Sequence, residues 1–178
     1  MSGPPLAALP EGRVRPVVRA PARVLSMPSV EVDPIDPEVG RLAADLLATQ
    51  RESPGCVGLA APQVGVGWRV FSLDVTGHPK TRTCHGALVL VNPVLGDASR
   101  WQKGREGCMS VPHFTGDVKR ATRVRVTGML PGTGEPVEVV TDGFEAVAFQ
   151  HEIDHLAGLL FLDRVAGAHA VYPRKTYR

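Results

Sequence analysis

His151 and His155 stand four positions apart in FQHEIDHLAG, with Glu152 directly after the first of them. On a helix, residues at that spacing share a face, so both imidazoles could reach one ion. Glu152 is rotated away from the line joining the pair. It is close enough to take a proton from water on that ion without ligating it, the division of labour of an HExxH helix. The plain alternative is a chance match on an amphipathic helix. The histidines fall among apolar positions, however, where an uncoordinated pair would need hydrogen-bond compensation, and this favours a site.

A hydrolytic metal needs about three protein ligands and an open position for water. Downstream, LLFLDRVAGAHAVYPRKTYR offers Asp163 and His169 but no second helix to hold a glutamate ligand. The glycine and histidine that extend HExxH in one large group of zinc proteases are also missing after His155. Upstream, WQKGREGCMSVP stands out, because Gly107 and the small Ser110 flank Cys108 and leave the backbone room to approach an ion. A lone cysteine is otherwise a small buried hydrophobe, and that reading is kept for Cys56 and Cys84.

These residues need elements to hold them. DPEVGRLAADLLATQ predicts the first helix, with Asp36 as cap, Pro37 at the first helical position and Val39, Leu42, Ala43, Leu46 and Leu47 as its apolar stripe. CVGLAAPQVGVG has too much glycine for a helix and reads as a loop or irregular strand. WRVFSLDV and ALVLVNPVL read as buried strands joined by the exposed TGHPKTRTCHG. DVKRATRVRVTGML alternates, turns at PGTG and returns as EPVEVVTDG, a β-hairpin. In GFEAVAFQHEIDHLAG, Asp142 suits the N-cap with Glu145 three residues on, and Gly158 suits the stop. The expected fold is α+β: mixed or antiparallel strands packed around a late HExxH-bearing helix, with one N-terminal helix.

Composition narrows the class. The 178 residues are 43% hydrophobic and 21% charged with a net charge of +2, ordinary for one globular domain and too weakly basic for a nucleic-acid footprint. Lys119, Arg120, Arg123 and Arg125 read as a solvated strand face. Three scattered cysteines argue against a disulfide framework and for a reducing compartment. There is no apolar run of the ~20 residues a spanning helix needs, so no membrane binding is expected. The proline-rich start, with several arginines, reads as a disordered extension over residues 1–12, ahead of a single catalytic domain over 13–178. A bacterial cytoplasmic location is expected, with organellar import left open.

Three segments together resemble the peptide deformylase family. CVGLAAPQ is similar to that family's G-x-G-L-A-A-x-Q, EGCMS to its E-G-C-L-S, and QHEIDHL to its Q-H-E-x-D-H-L. Their order and spacing agree over residues 16 to about 165. Cys56 departs from a glycine and Met109 from a leucine, which bears on side-chain preference more than on the reaction. The resemblance implies a metal site of Cys108, His151 and His155 for one divalent ion, Fe(II) in the cell with Zn(II), Ni(II) or Co(II) able to replace it. It implies removal of the formyl group from N-terminal formyl-methionine, with release of formate. Glu152 would be the base, and the Gln63 amide and the Met109 N–H the oxyanion donors. Gly58 and Gly107 would narrow the site, and Glu106 would pair with Arg120 to support the Cys108 segment. Val147 and Ala148 read equally as a methionine pocket or as plain core. The implied partner is a formyl-methionyl peptide or nascent chain, with the ribosome a candidate and no direct nucleic-acid contact. The competing readings are a zinc endopeptidase on the same helix, a non-catalytic deformylase-like binder, and a deformylase with a specialised substrate or inhibitor resistance.

Overall fold

Alternating apolar residues in the middle of the chain and 3.6-residue stripes at either side of it yield a sheet carrying two helices. The computed structural model describes residues 6 and 8–175. Helix α1 runs Pro37–Arg51, capped by the Asp36 side chain accepting from the Glu38 N–H at 2.8 Å. Its buried Val39, Leu42, Ala43 and Leu46 pack on Leu59, Val70, Val89 and Val91 of the sheet. The strands are β1 Gly58–Ala60, β2 Val70–Leu73, β3 Leu88–Cys108, β4 Val111–Met129, β5 Pro136–Asp142 and β6 Val171–Pro173. The order is β1-β2-β3-β4-β5 with β6 also on β4, and every pairing is antiparallel. Helix α2, Gly143–Leu156, lies late in the chain, as the α+β pattern predicts. A 3-10 turn, Ala61–Val64, follows β1.

Three local expectations need correction. ALVLVNPVL is only the start of β3, which continues through GDASRWQKGREGC. That continuation carries little alternation because both of its faces are largely exposed, and register shifts at Val91/Val94 and Leu95/Ala98 break it further. The Asp142 side chain makes no cap bond. It accepts instead from Thr83 Oγ1 at 2.6 Å. Glu145, expected to complete that cap, is fully buried, accepting from Thr141 Oγ1 at 2.6 Å and the His85 N–H at 2.8 Å. Finally, β6 falls in a tail too short and too polar to signal a strand. Of the expected 1–12 extension, residues 1–5 and 7 lie outside the described residues, while Leu6 and Leu9 pack against the α1 cluster.

Helix α2 is seated by Phe149, which is fully buried and meets Phe71 of β2 edge to face at 5.8 Å between centroids. That contact fixes the helix against the sheet and so fixes everything the helix carries. Phe149→Ala is expected to cost about 3–5 kcal/mol of folding free energy, read from the denaturant midpoint.

Candidate metal centre

The tight turn between β3 and β4 puts Cys108, Met109, Ser110 and Val111 beneath α2. Cys108, His151 and His155 each offer one ligand atom, and these atoms all lie within 4.8 Å of one another. Cys108 Sγ is 3.4 Å from His155 Nε2. His151 Nδ1 faces Glu106 Oε2 at 2.9 Å, so with its proton held there, Nε2 keeps a lone pair for an ion. One sulfur and two imidazoles form a donor set for a borderline-soft divalent metal. Two buried atoms beside it, Glu152 Oε2 and His155 Nδ1, have no hydrogen-bond partner among the described residues. Asp163 and His169, the downstream candidates, are not in the cluster. The Asp163 carboxylate accepts from the Leu160 N–H at 2.8 Å instead.

Glu106 and Arg120 hold the two halves of the centre together. Arg120 donates through Nε to Glu106 Oε1 at 2.8 Å and through Nη2 to Oε2 at 3.1 Å. Its Nη1 reaches Asp154 Oδ2 of α2 at 2.5 Å. Asp154 also accepts from Arg164 Nη2 at 2.8 Å. Arg120 is therefore not part of a solvated face: at 4% exposure it alternates inward while Lys119, Arg123 and Arg125 stay out. Burial opposes ionisation of Glu106, yet hydrogen bonds from His151 and Arg120 hold its pKa down at about 2. For Glu152 burial wins. Helped by the nearby Glu106 and opposed by His151 and Arg120, it raises the carboxyl to about 7, where a base is poised for neutral pH. Burial and the neighbouring His151 push His155 well below the usual imidazole value.

Gln63 comes from the 3-10 turn after β1. Its Oε1 accepts from the Ala60 N–H at 3.0 Å, and its Nε2 points to Cys108 Sγ at 3.4 Å and Ser110 Oγ at 3.2 Å. Ser110 in turn donates to the Val18 carbonyl at 2.7 Å, tying the N-terminal strap to the site. Ser110 enters the sequence reading only as a small neighbour of Cys108, and its anchoring role depends on chain contacts no local pattern contains. A cavity of about 870 Å³ opens over the centre, and its walls include Cys56, Gly58, Gln63, Met109, Val147 and His151. Ala148 serves both as wall and as core. A Cβ on Gly58 would lie 2.5 Å from Glu152 Oε1, so this glycine is what lets the carboxylate approach β1. Cys56 is half-buried in the wall. Burial and then Glu152 push its thiol up to about 12, and it donates to the Gly58 carbonyl at 3.1 Å. His78, stacked on Phe144 at 4.1 Å, and Arg174 also line the cavity, and neither belongs to a recognisable motif.

Comparison with known proteins gives the family of the chain. The family model described as Polypeptide deformylase matches residues 14–170. The chain is 42% identical to a peptide deformylase of Aquifex aeolicus over 86% of this chain and 89% of that one. It is 42% identical to another from Desulforudis audaxviator, over 89% and 96% of the two. Among solved structures, the peptide deformylase of Ehrlichia chaffeensis superposes with a TM-score of 0.80 at 32% identity, covering 86% of this chain and 89% of that chain. A class I type b peptide deformylase of Acinetobacter baumannii bound to Met-Ala-Ser gives 0.78 at 36% identity, covering 85% and 99%.

The charge network has a measurable signature. Because folding depresses the Glu106 pKa to about 2, its stabilising contribution is complete above the ordinary carboxylate value and fades as pH falls toward 2. Unfolding free energy should therefore drop between about pH 4.5 and 2, and Glu106→Gln should flatten that slope. Arg120→Met, which strands two buried carboxylates, should cost about 3–5 kcal/mol at neutral pH in denaturant melts.

Proposed function

The chain belongs to the polypeptide deformylase family, and from that premise we propose how its own residues remove the formyl group from the N-terminus of newly made polypeptides. It is a metal-dependent hydrolase that converts a formylated N-terminus and water into formate and a free amine. The reading of its site rests on one observation above the others: three ligand atoms within 4.8 Å, beside a buried, unpartnered Glu152 oxygen.

Cys108, His151 and His155 would hold the ion, read as Fe(II) in the cell with Zn(II), Ni(II) or Co(II) as replacements. Bound there, the ion would supply Lewis acidity, lowering the pKa of water at the site toward neutral. Glu152, buried beside the three ligand atoms with one oxygen unpartnered among the described residues, accepts a proton from the attacking water and returns it to the departing amine. The Gln63 amide, already aimed at the Cys108 turn, and the Met109 N–H stabilise the oxyanion. The carbonyl attacked bears only hydrogen, so a narrow entrance beside Gly58 and Gly107 favours formyl over larger acyl groups.

The substrate lies extended along β1, which among the described residues pairs with β2 alone, leaving a free edge that begins at Gly58 in the cavity wall. The methionine side chain fits against Val147, Ala148 and Met109. The Acinetobacter deformylase bound to Met-Ala-Ser supports a substrate that begins with methionine. Nascent chains are the natural partner, with the ribosome as the place of encounter and the bacterial cytoplasm as the compartment. No described helix is long and apolar enough to cross a membrane.

Two substitutions separate the roles. Cys108→Ser is expected to lose tight metal binding and formate release together. Glu152→Gln should keep one metal per chain while turnover falls about 10²–10⁴-fold, by metal analysis of anaerobically prepared protein and a formate assay. Near-normal turnover in Glu152→Gln would remove the proposed base. Gly58→Ala, which forces a methyl against Glu152, should lower turnover with little change in metal content.

A further inference from the structure

The last described strand brings a charged group to the centre from outside every motif and beyond the 14–170 family match. Strand β6 pairs Phe114 with Pro173, Thr115 with Tyr172 and Gly116 with Val171. Tyr172 lies under the Arg105 guanidinium at 3.8 Å, and Arg105 is itself bonded to Asp117 at 2.6 Å. One residue past the end of β6, the Arg174 N–H donates to the His113 carbonyl at 2.8 Å, which fixes the start of its side chain. The guanidinium then crosses Gly107, where a Cβ would stand 2.5 Å from Nη2, and donates through Nη2 to the Cys108 carbonyl at 3.2 Å.

That carbonyl is one end of an amide whose other end is the Met109 N–H. Met109 sits in the turn between β3 and β4, and among the described residues its N–H takes no turn or loop carbonyl as partner. A cation bonded to the oxygen of an amide draws electron density toward that oxygen and makes the N–H at the other end a better donor. The same bond fixes the plane of the peptide, and with it the direction in which the N–H points. Among the described residues Arg174 forms no ion pair with a carboxylate, so its charge is not spent elsewhere.

We propose that Arg174 is a positioning residue for deformylation: through the Cys108 carbonyl it orients and polarises the Cys108–Met109 peptide, strengthening the Met109 N–H as an oxyanion donor. Gly107 is the companion requirement, because any side chain there would displace the guanidinium. The inference rests on the reading of Met109 as an oxyanion donor given above. It predicts an effect that appears in the transition state and is small in the ground state.

The test compares Arg174→Met and Arg174→Lys with the unaltered chain, each loaded with zinc, on a formyl-methionyl tripeptide. For Arg174→Met, kcat should fall about three- to tenfold with KM within twofold, since polarisation through a shared amide is weaker than loss of a donor, which costs about 10²–10³. Metal should stay at one per chain, and Arg174→Lys should recover part of the loss. The Met109 amide proton of the zinc form, followed by NMR, should move upfield in Arg174→Met and partly back in Arg174→Lys. Unchanged kcat, an unmoved Met109 resonance, a rise in KM alone, or activity lost in proportion to metal would each overturn the proposal. Gln63→Leu separates the two levels of the argument. If it lowers turnover strongly while Arg174→Met does not, the oxyanion site stands and the inference about Arg174 fails. If Gln63→Leu is as active as the unaltered chain, the reading of the oxyanion site fails first.

Discussion

A buried arginine between two carboxylates is what joins the halves of this centre. Arg120 on β4 grips Glu106 of β3 with two donors and Asp154 of α2 with a third. The strand that ends at Cys108 and the helix that carries both histidines are thereby held in one frame. An isolated buried charge would be costly to desolvate, and here each charge is surrounded by opposite charge and directed hydrogen bonds. Glu106 uses its second oxygen on His151 as well, so the same network that sets the distance also sets the tautomer of a candidate ligand ring.

Around that frame the polar groups divide into those with partners and those without. Gln63, Ser110, Glu106, Arg120 and Asp154 are all buried and all bonded. Among the described residues, one oxygen of Glu152, Nδ1 of His155 and Nε of Arg174 are buried and not bonded. An unsatisfied buried carboxylate is a local cost that a well-packed core would not keep without reason. Its raised pKa and its position against Gly58 follow from the same confinement, which makes it able to take up and give back a proton near neutral pH.

Close backbone approach is the second device. Gly58 admits the Glu152 carboxylate and Gly107 admits the Arg174 guanidinium, each at a distance where a Cβ would collide. Both glycines stand in segments that resemble the family; the Glu152 group comes from a third such segment on α2, and the Arg174 group from the C-terminal tail outside all three. Their value lies in what crosses over them more than in their own flexibility.

The helices, the hairpin from β4 to β5 and the HExxH face were legible in the chain because they follow from local periodicity and end signals. The histidine pair and Glu152 were legible because their chemistry is written in residue type and spacing, while the resemblance supplied Cys108 as the third candidate ligand. The exposed reach of β3 was not, since a strand solvated on both faces has no alternation to read. Asp142 does stand at the N-cap of α2 as its type suggests, but the loss of its side chain to Thr83 from a distant loop was not legible. The inward turn of Arg120 shows in the alternation of β4 only once the register of that strand is known, while the resemblance alone suggested its pairing with Glu106. The anchoring by Ser110 and the reach of Arg174 from β6 exist only where segments far apart in sequence meet. Such contacts are fixed by the packing of the whole chain, and no window of sequence contains both partners.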